Sequence, residues 1–325
     1  VVVDAAGYLV AWLSSRPVMD PITAADHRCE GLAQPVRLPD ILPADSIAGG
    51  LTVEAAARLG LGRGTPVVTG TYDSHADLAG AGVMAPGDGG LLLGSTMILG
   101  AVAGADFDTG PAPGVGLRAT RHLGTGTFVG GWTSTSGSLV DWSGTAFADA
   151  SESGDKPPLP GASGLVALPY FAGERAPVWD PHARGALLGM TLATTPGELR
   201  AALIDAVALS ALDLAERLAR IGLRPDTLNA AGGGWRNKAL ARAVVDALGL
   251  PIDVMDHAGE AVGPAALAFR ALGLAHAPRV AYRLVPDARR HASFRALYEI
   301  YARLYPALSD SLRELGRLAA NEGAA

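Results

Sequence analysis

The stretch Ala230 to Val254, AAGGGWRNKALARAVVDALGLPIDV, decides how this chain is read. The apolar run Thr227 to Ala231 stops at three glycines. A helical pattern follows over about Asn237 to Leu248, then a second apolar run, Ile252 to Met255, and a further helix predicted over Glu260 to Leu272. Strand, glycine turn, helix, strand, helix is the alternation of an α/β fold. Glycines between a strand and a helix let a ligand approach the backbone, and a helix start offers unpaired N–H groups suited to a nucleotide. The spacing matches neither the dinucleotide fingerprint nor a Walker loop, and the same glycines would also serve a tight turn with positive φ.

Outward from this unit, Thr195 to Gly222 carries the longest regular signal. Thr195, Pro196 and Glu198 form a capping-box pattern, Leu199, Leu203, Val207, Leu214 and Leu218 share a face, and Gly222 ends the helix. Phe294 to Leu318 predicts a long amphipathic final helix. Upstream, GGLLLGSTMILGAVAG from Gly89 reads as a β-hairpin hinged on Gly94, Ser95 and Thr96. Further strands are expected near Leu117 to Arg121 and Thr127 to Gly131, a helix over Ser136 to Phe147, and a loop over Glu152 to Pro160. Thr52 and Gly60 bracket a helix at Val53 to Leu59, Pro66 to Val68 reads as a buried strand, and residues 4 to 15 space their large apolar side chains as a helix would.

The 325 residues are 49% apolar with mean hydropathy +0.25, ample material for a globular core. A net charge of −6 and the absence of Lys/Arg runs argue against nucleic acid as a partner. Cys29 is the single cysteine, which excludes intrachain disulfides and thiolate metal clusters and fits a reducing, cytoplasmic compartment. No apolar run approaches the length of a membrane helix, so no membrane role is expected. The chain opens VVVDAAGYLV, in what reads as the middle of structured sequence, and we expect an incomplete chain.

Three further places could carry chemistry. In TGTYDSHADLAGAG, Thr69 to Gly82, Asp73 follows a strand among small residues; it could accept a proton from an attacking hydroxyl, or serve as a helix N-cap. Asp77, four residues on, would share its face, whereas His75 would point away as surface or core filling. The hairpin tip Gly94-Ser95-Thr96 could donate N–H and O–H groups to phosphate oxygens, or be only a turn. In PYFAGERAPVWDPHARGALLGM, Pro169 to Met190, the side chains of Glu174, Arg175, Asp180 and Arg184 could pair among themselves to brace a loop.

The order of these blocks resembles the FGGY family of carbohydrate kinases, and of these the xylulokinase-like members. The similarity rests on YLVAWLSSRPVMDPITAAD, the segment from Leu38 to Gly82, LLLGSTM, GGWTSTSGSLVDW, the Pro169 to Leu192 string, the opening stretch above, and GEAVGPAALA. It implies an actin-like, ribonuclease-H-like ATPase fold: residues 1–87 as the end of a first domain carrying the catalytic base, and 88–325 as the second, nucleotide-side domain. It implies ATP and Mg²⁺ as cofactors, a small sugar or polyol as substrate, and is compatible with a homodimer. Position by position, Asp73 matches the family's catalytic base and Ser74 a substrate contact, where glutamine or asparagine is common. Gly94, Ser95 and Thr96 match the phosphate loop, with Gly-Ser-Thr in place of the usual Gly-Thr-Ser or Gly-Thr-Gly. Gly137 and Asp141 resemble positions flanking the nucleotide, and Gly233 and Asn237 the adenine-side turn. The family's N-terminal Asp-x-Gly-Thr loop has no match here, so this piece alone is expected to be inactive. The competing expectation is a non-catalytic nucleotide-binding or scaffolding module of the actin-like superfamily.

Overall fold

The computed structural model describes residues 3–26, 39–124, 126–147, 158–256, 261–275 and 277–322. The first part holds short elements: α1 (Ala5–Ser14), β1 (Val18–Met19), α2 (Pro21–Asp26), β2 (Asp40–Ile41), β3 (Ile47–Gly50), α3 (Val53–Leu59), β4 (Pro66–Val68) and α4 (Asp73–Gly80). Asp4 caps α1, its carboxylate accepting from Gly7 N at 2.8 Å, and Thr52 and Gly60 end α3 as the sequence predicts. β1 pairs with β2 in parallel and β3 with β4 antiparallel, over a small core of Val10, Val18, Ala48, Leu51 and Val67.

The main sheet follows. β5 (Gly89–Leu93) and β6 (Met97–Ala103) form the predicted hairpin, followed by β7 (Arg118–Arg121), β8 (Thr127–Trp132) and α5 (Gly137–Ala146). A two-stranded ladder, β9 (Val166–Leu168) with β10 (Ala186–Leu188), precedes α6 (Pro196–Arg220); then come β11 (Leu228–Ala231), α7 (Lys238–Leu248), β12 (Ile252–Met255), α8 (Val262–Ala271), β13 (Val280–Leu284) and α9 (Ala288–Glu322). Seven strands run in the order β13-β12-β11-β5-β6-β8-β7, with the neighbours β12, β11 and β5 parallel and the rest antiparallel.

Both sheet faces are covered, as parallel strands require. α6 and α7 bury Leu203, Val207, Leu214, Leu240 and Val244 against one face, and α9 adds Phe294 and Tyr301. The capping box is present: Thr195 Oγ1 accepts from Glu198 N at 3.3 Å, and Glu198 returns a carboxylate oxygen to Thr195 N at 2.8 Å. On the other face, Leu78 of α4 packs with Val83, Val102 and Phe128. There α4 crosses α8 so closely that a Cβ on Gly263 would lie 2.5 Å from the Ala76 backbone.

The final helix is longer than predicted, starting at Ala288 and passing through Pro306. The helix expected from Glu260 starts at Val262, and residues 257–260 lie outside the described residues. Most of the expected Glu152 to Pro160 loop also lies outside them. β9, β10 and β13 were not predicted. No helix among the described residues is long and apolar enough to cross a membrane.

Candidate active site

β5 and β11 are adjacent and parallel, with Ala231 opposite Leu92, so the Gly94-Ser95-Thr96 tip and the Gly232-Gly233-Gly234 turn emerge side by side at their carboxyl ends. In open α/β sheets that edge is where ligands bind. A cleft of about 580 Å³ opens there, bounded by the N-terminal turn of α4, the hairpin tip, Gly232, and a wall of Arg118, Arg175 and Trp179.

Asp73, Ser74 and Asp77 line the α4 side. Tyr72, not Asp73, is the capping residue of α4, and it makes no side-chain cap bond. Asp73 is the first helical residue, where the helix dipole favours a carboxylate. Oδ1 of Asp73 accepts from Ser74 N at 2.6 Å, and the exposed side chain lies in the cleft. Behind it, buried His75 meets His122 with their Nδ1 atoms 3.0 Å apart, and His122 Nε2 lies 2.8 Å from the Val83 carbonyl. That carbonyl requires a proton on His122 Nε2, so His75 Nδ1 donates to His122 Nδ1. Burial, with His122 alongside, lowers the His75 pKa to about 3, and burial also lowers that of His122.

The hairpin tip is anchored by its carbonyls. Gly94 O accepts from Gly137 N at 2.9 Å; Ser95 O accepts from Ser136 N at 2.9 Å and from Ser138 Oγ at 2.8 Å. The first N–H groups of α5 are thereby consumed. The N–H and hydroxyl groups of Ser95 and Thr96 have no partner among the described residues, and all three tip residues line the cleft. Successive free N–H groups beside hydroxyls form an anion-binding concavity. Gly137 serves this anchor from behind, since a Cβ there would lie 2.6 Å from Gly94 O. Asp141, one turn further along α5, is exposed and does not line the cleft.

The three glycines of the second turn divide their work. Gly232 has φ 108° and packs on Leu93, where a Cβ would lie 2.4 Å from the carbonyl oxygen; Gly234 packs on the same residue. Gly233 faces open space. Asn237 caps α7 by accepting from Leu240 N at 3.0 Å, and like Gly233 it does not line the cleft.

The Pro169 to Met190 string corrects an expectation. Glu174 and Asp180 pair only through their backbones, at 2.9 and 2.8 Å. The Glu174 carboxylate accepts from Ser134 N at 2.6 Å and Arg175 N at 2.8 Å, and burial raises its pKa to about 7 against those bonds. Asp180 accepts from Tyr305 and Arg313 of α9 and from His182 N. Burial alone would raise its pKa; the three hydrogen bonds instead hold it at about 2. The Arg175 guanidinium binds the Thr133 carbonyl. Partners from Ser134 and α9 lie about 40 and 125 or more positions away in sequence, beyond any spacing rule. Arg118, Arg175 and Trp179 form the cleft wall that sequence reasoning missed; the GERAPVW string was the available signal for the last two.

Residues 116–272 match the family model described as "FGGY family of carbohydrate kinases, C-terminal domain". The chain carries an FGGY carbohydrate-kinase C-terminal domain. Its FGGY relatives include a ribulokinase of Geobacillus thermodenitrificans, 30% identical over 74% of this chain and 46% of the relative, and a xylulose kinase of Escherichia coli, 27% identical over 84% and 58%. The chain thus spans about half the length of these relatives. The structure of a ligand-bound xylulose kinase from Lactobacillus acidophilus superposes with TM-score 0.81 at 21% identity, covering 95% of this chain and 68% of that one. The fold is therefore that of sugar kinases of the actin-like ATPase type, and the chain's relatives and structural neighbours are carbohydrate kinases.

Proposed function

We propose that this chain supplies the catalytic base and the nucleotide side of an ATP-dependent kinase that phosphorylates a hydroxyl of a small sugar or polyol. Residues up to about 87 end the domain that presents the base, and the rest forms the nucleotide domain. The observation that carries this reading is that Asp73 and the unpartnered donors of Ser95 and Thr96 face one cleft. Asp73 takes the proton of the acceptor hydroxyl as its oxygen attacks the γ-phosphorus; the bond to the β,γ-bridging oxygen breaks and ADP leaves. The tip donors hold phosphate oxygens, Gly233 leaves room for the nucleotide at the second turn, and Ser74 contacts the acceptor. Because the transition state is loose, alignment and charge neutralisation weigh more than base strength.

Among the described residues no group of three or more His, Cys, Asp or Glu is placed to hold a metal. Mg²⁺ bound mainly through phosphates, waters and one or two carboxylates does not need one, and Asp73 and Asp77 are carboxylates at the cleft. Mg²⁺ would neutralise charge on the phosphates.

The test is an ADP-release assay on the full-length protein against pentuloses, hexonates and polyols. Release with at least one acceptor supports the kinase reading. No release with any of them favours a non-catalytic nucleotide-binding module.

A further inference from the structure

Arg118 opens β7 and lies in register with Gly130 of β8, which pairs with Gly100 of β6. It therefore sits two strands across and several residues down from the hairpin tip, about 15 Å away at ordinary sheet spacings. Its guanidinium stacks 4.9 Å from the centre of the Trp179 ring. That indole is itself fixed: Trp179 has φ 50°, its Nε1 donates to Gly116 O at 2.8 Å, and its N–H returns to the Arg175 carbonyl. Gly116 has φ 77°, and a Cβ there would lie 2.0 Å from the Pro177 carbonyl, so the turn before β7 and the Trp179 loop are locked together. No carboxylate among the described residues pairs with Arg118, and both Arg118 and Trp179 line the cleft.

A cation held on a rigid aromatic plate, without a counter-charge and facing a cleft, is suited to a planar anion. Its distance from the tip places it beyond the transferring phosphoryl group, toward the far end of the acceptor. We propose that the acceptor is a polyhydroxy carboxylic acid of five or six carbons, and that Arg118 binds its carboxylate while a hydroxyl at the other end meets Asp73. This rests on the kinase reading above. Arg118 is a specificity residue: it touches the substrate but not the reacting atoms.

The experiment compares acceptors matched in carbon skeleton, gluconate with sorbitol and xylonate with xylitol, by ADP release from the full-length protein. The wild type should favour the acid in kcat/KM by about 10- to 100-fold, the range of one charge-assisted contact. Arg118→Met should bring the acid-to-polyol ratio near one, mainly through KM, and Arg118→Lys should give an intermediate ratio. Equal use of acid and polyol by the wild type overturns the proposal and leaves the kinase reading standing. So does an Arg118→Met variant that lowers both acceptors in proportion, the result expected if Arg118 only braces Trp179. ADP release with no acceptor of any class overturns both.

Discussion

The two walls of the cleft are built differently. The α4 wall, which presents Asp73, is held by close apolar packing: Gly80 and Gly263 bring α4 against α8, and Leu78 enters the core. The facing wall, with Arg118, Arg175 and Trp179, is held by polar ties, the Asp180 bonds to Tyr305 and Arg313 and the Glu174 bonds to Ser134 and Arg175. Small residues set how near one wall can come, and hydrogen bonds set where the other wall points. Substitutions on the first should therefore act on stability, and those on the second on substrate recognition.

The largest effect is expected where packing is tightest. Gly263→Val forces side-chain atoms into the Ala76 backbone and should cost about 3 kcal/mol, read as a lower denaturant midpoint. An unchanged midpoint would mean that α4 is not pressed against α8. Asp180→Ala should cost about 2 kcal/mol, since Tyr305 keeps an unpaired hydroxyl while the half-exposed Arg313 returns to water. In the full-length protein it should also raise the acceptor KM more than it lowers kcat. A pure loss of stability with KM intact would sever the α9 ties from the cleft.

The buried histidine pair behind Asp73 gives a pH test. His75 has a folded-state pKa of about 3 against an ordinary 6.5, so between these values the unfolded chain binds a proton the folded chain refuses. The stability is present above pH 6.5 and lost as pH falls, by at most about 1.4 kcal/mol per pH unit. Glu174, raised to about 7, slopes the other way, so the difference between proteins is the reading. Lowering pH from 8 to 5 should reduce the Tm of wild type more than that of His75→Leu; parallel curves would contradict the buried neutral pair. The smallest effect belongs to Gly233→Ala, where a Cβ meets nothing: stability should change by less than about 0.5 kcal/mol. A larger loss would place Gly233 among the packing glycines.

Much of this was legible in the chain. The caps of α3 and α6, the hairpin and the β11-α7-β12 unit follow from local rules, because capping and turn chemistry act within a few residues. Asp73 was found as a carboxylate among small residues, but its place at the first helical position rather than the cap depends on how Tyr72 enters α4. β13 was missed because VAYRL is an exposed edge segment whose strand state comes from pairing with β12, including Arg283 with Asp253 at 2.6 Å. Arg118 and Trp179 were missed for the same kind of reason: they lie 61 positions apart and meet only because Gly116 admits the Pro177 loop. Gly137 and Asn237 were picked as nucleotide residues, and the structure shows each with a local structural task as well.

The central claim, that Asp73 works on a substrate across from the hairpin tip, is tested by one comparison of Asp73→Asn with wild type in the full-length protein. Turnover, read as ADP release, should fall by about 10²- to 10⁴-fold while the nucleotide Kd stays within about twofold. Turnover within a few-fold of wild type, with nucleotide binding equally intact, would contradict it.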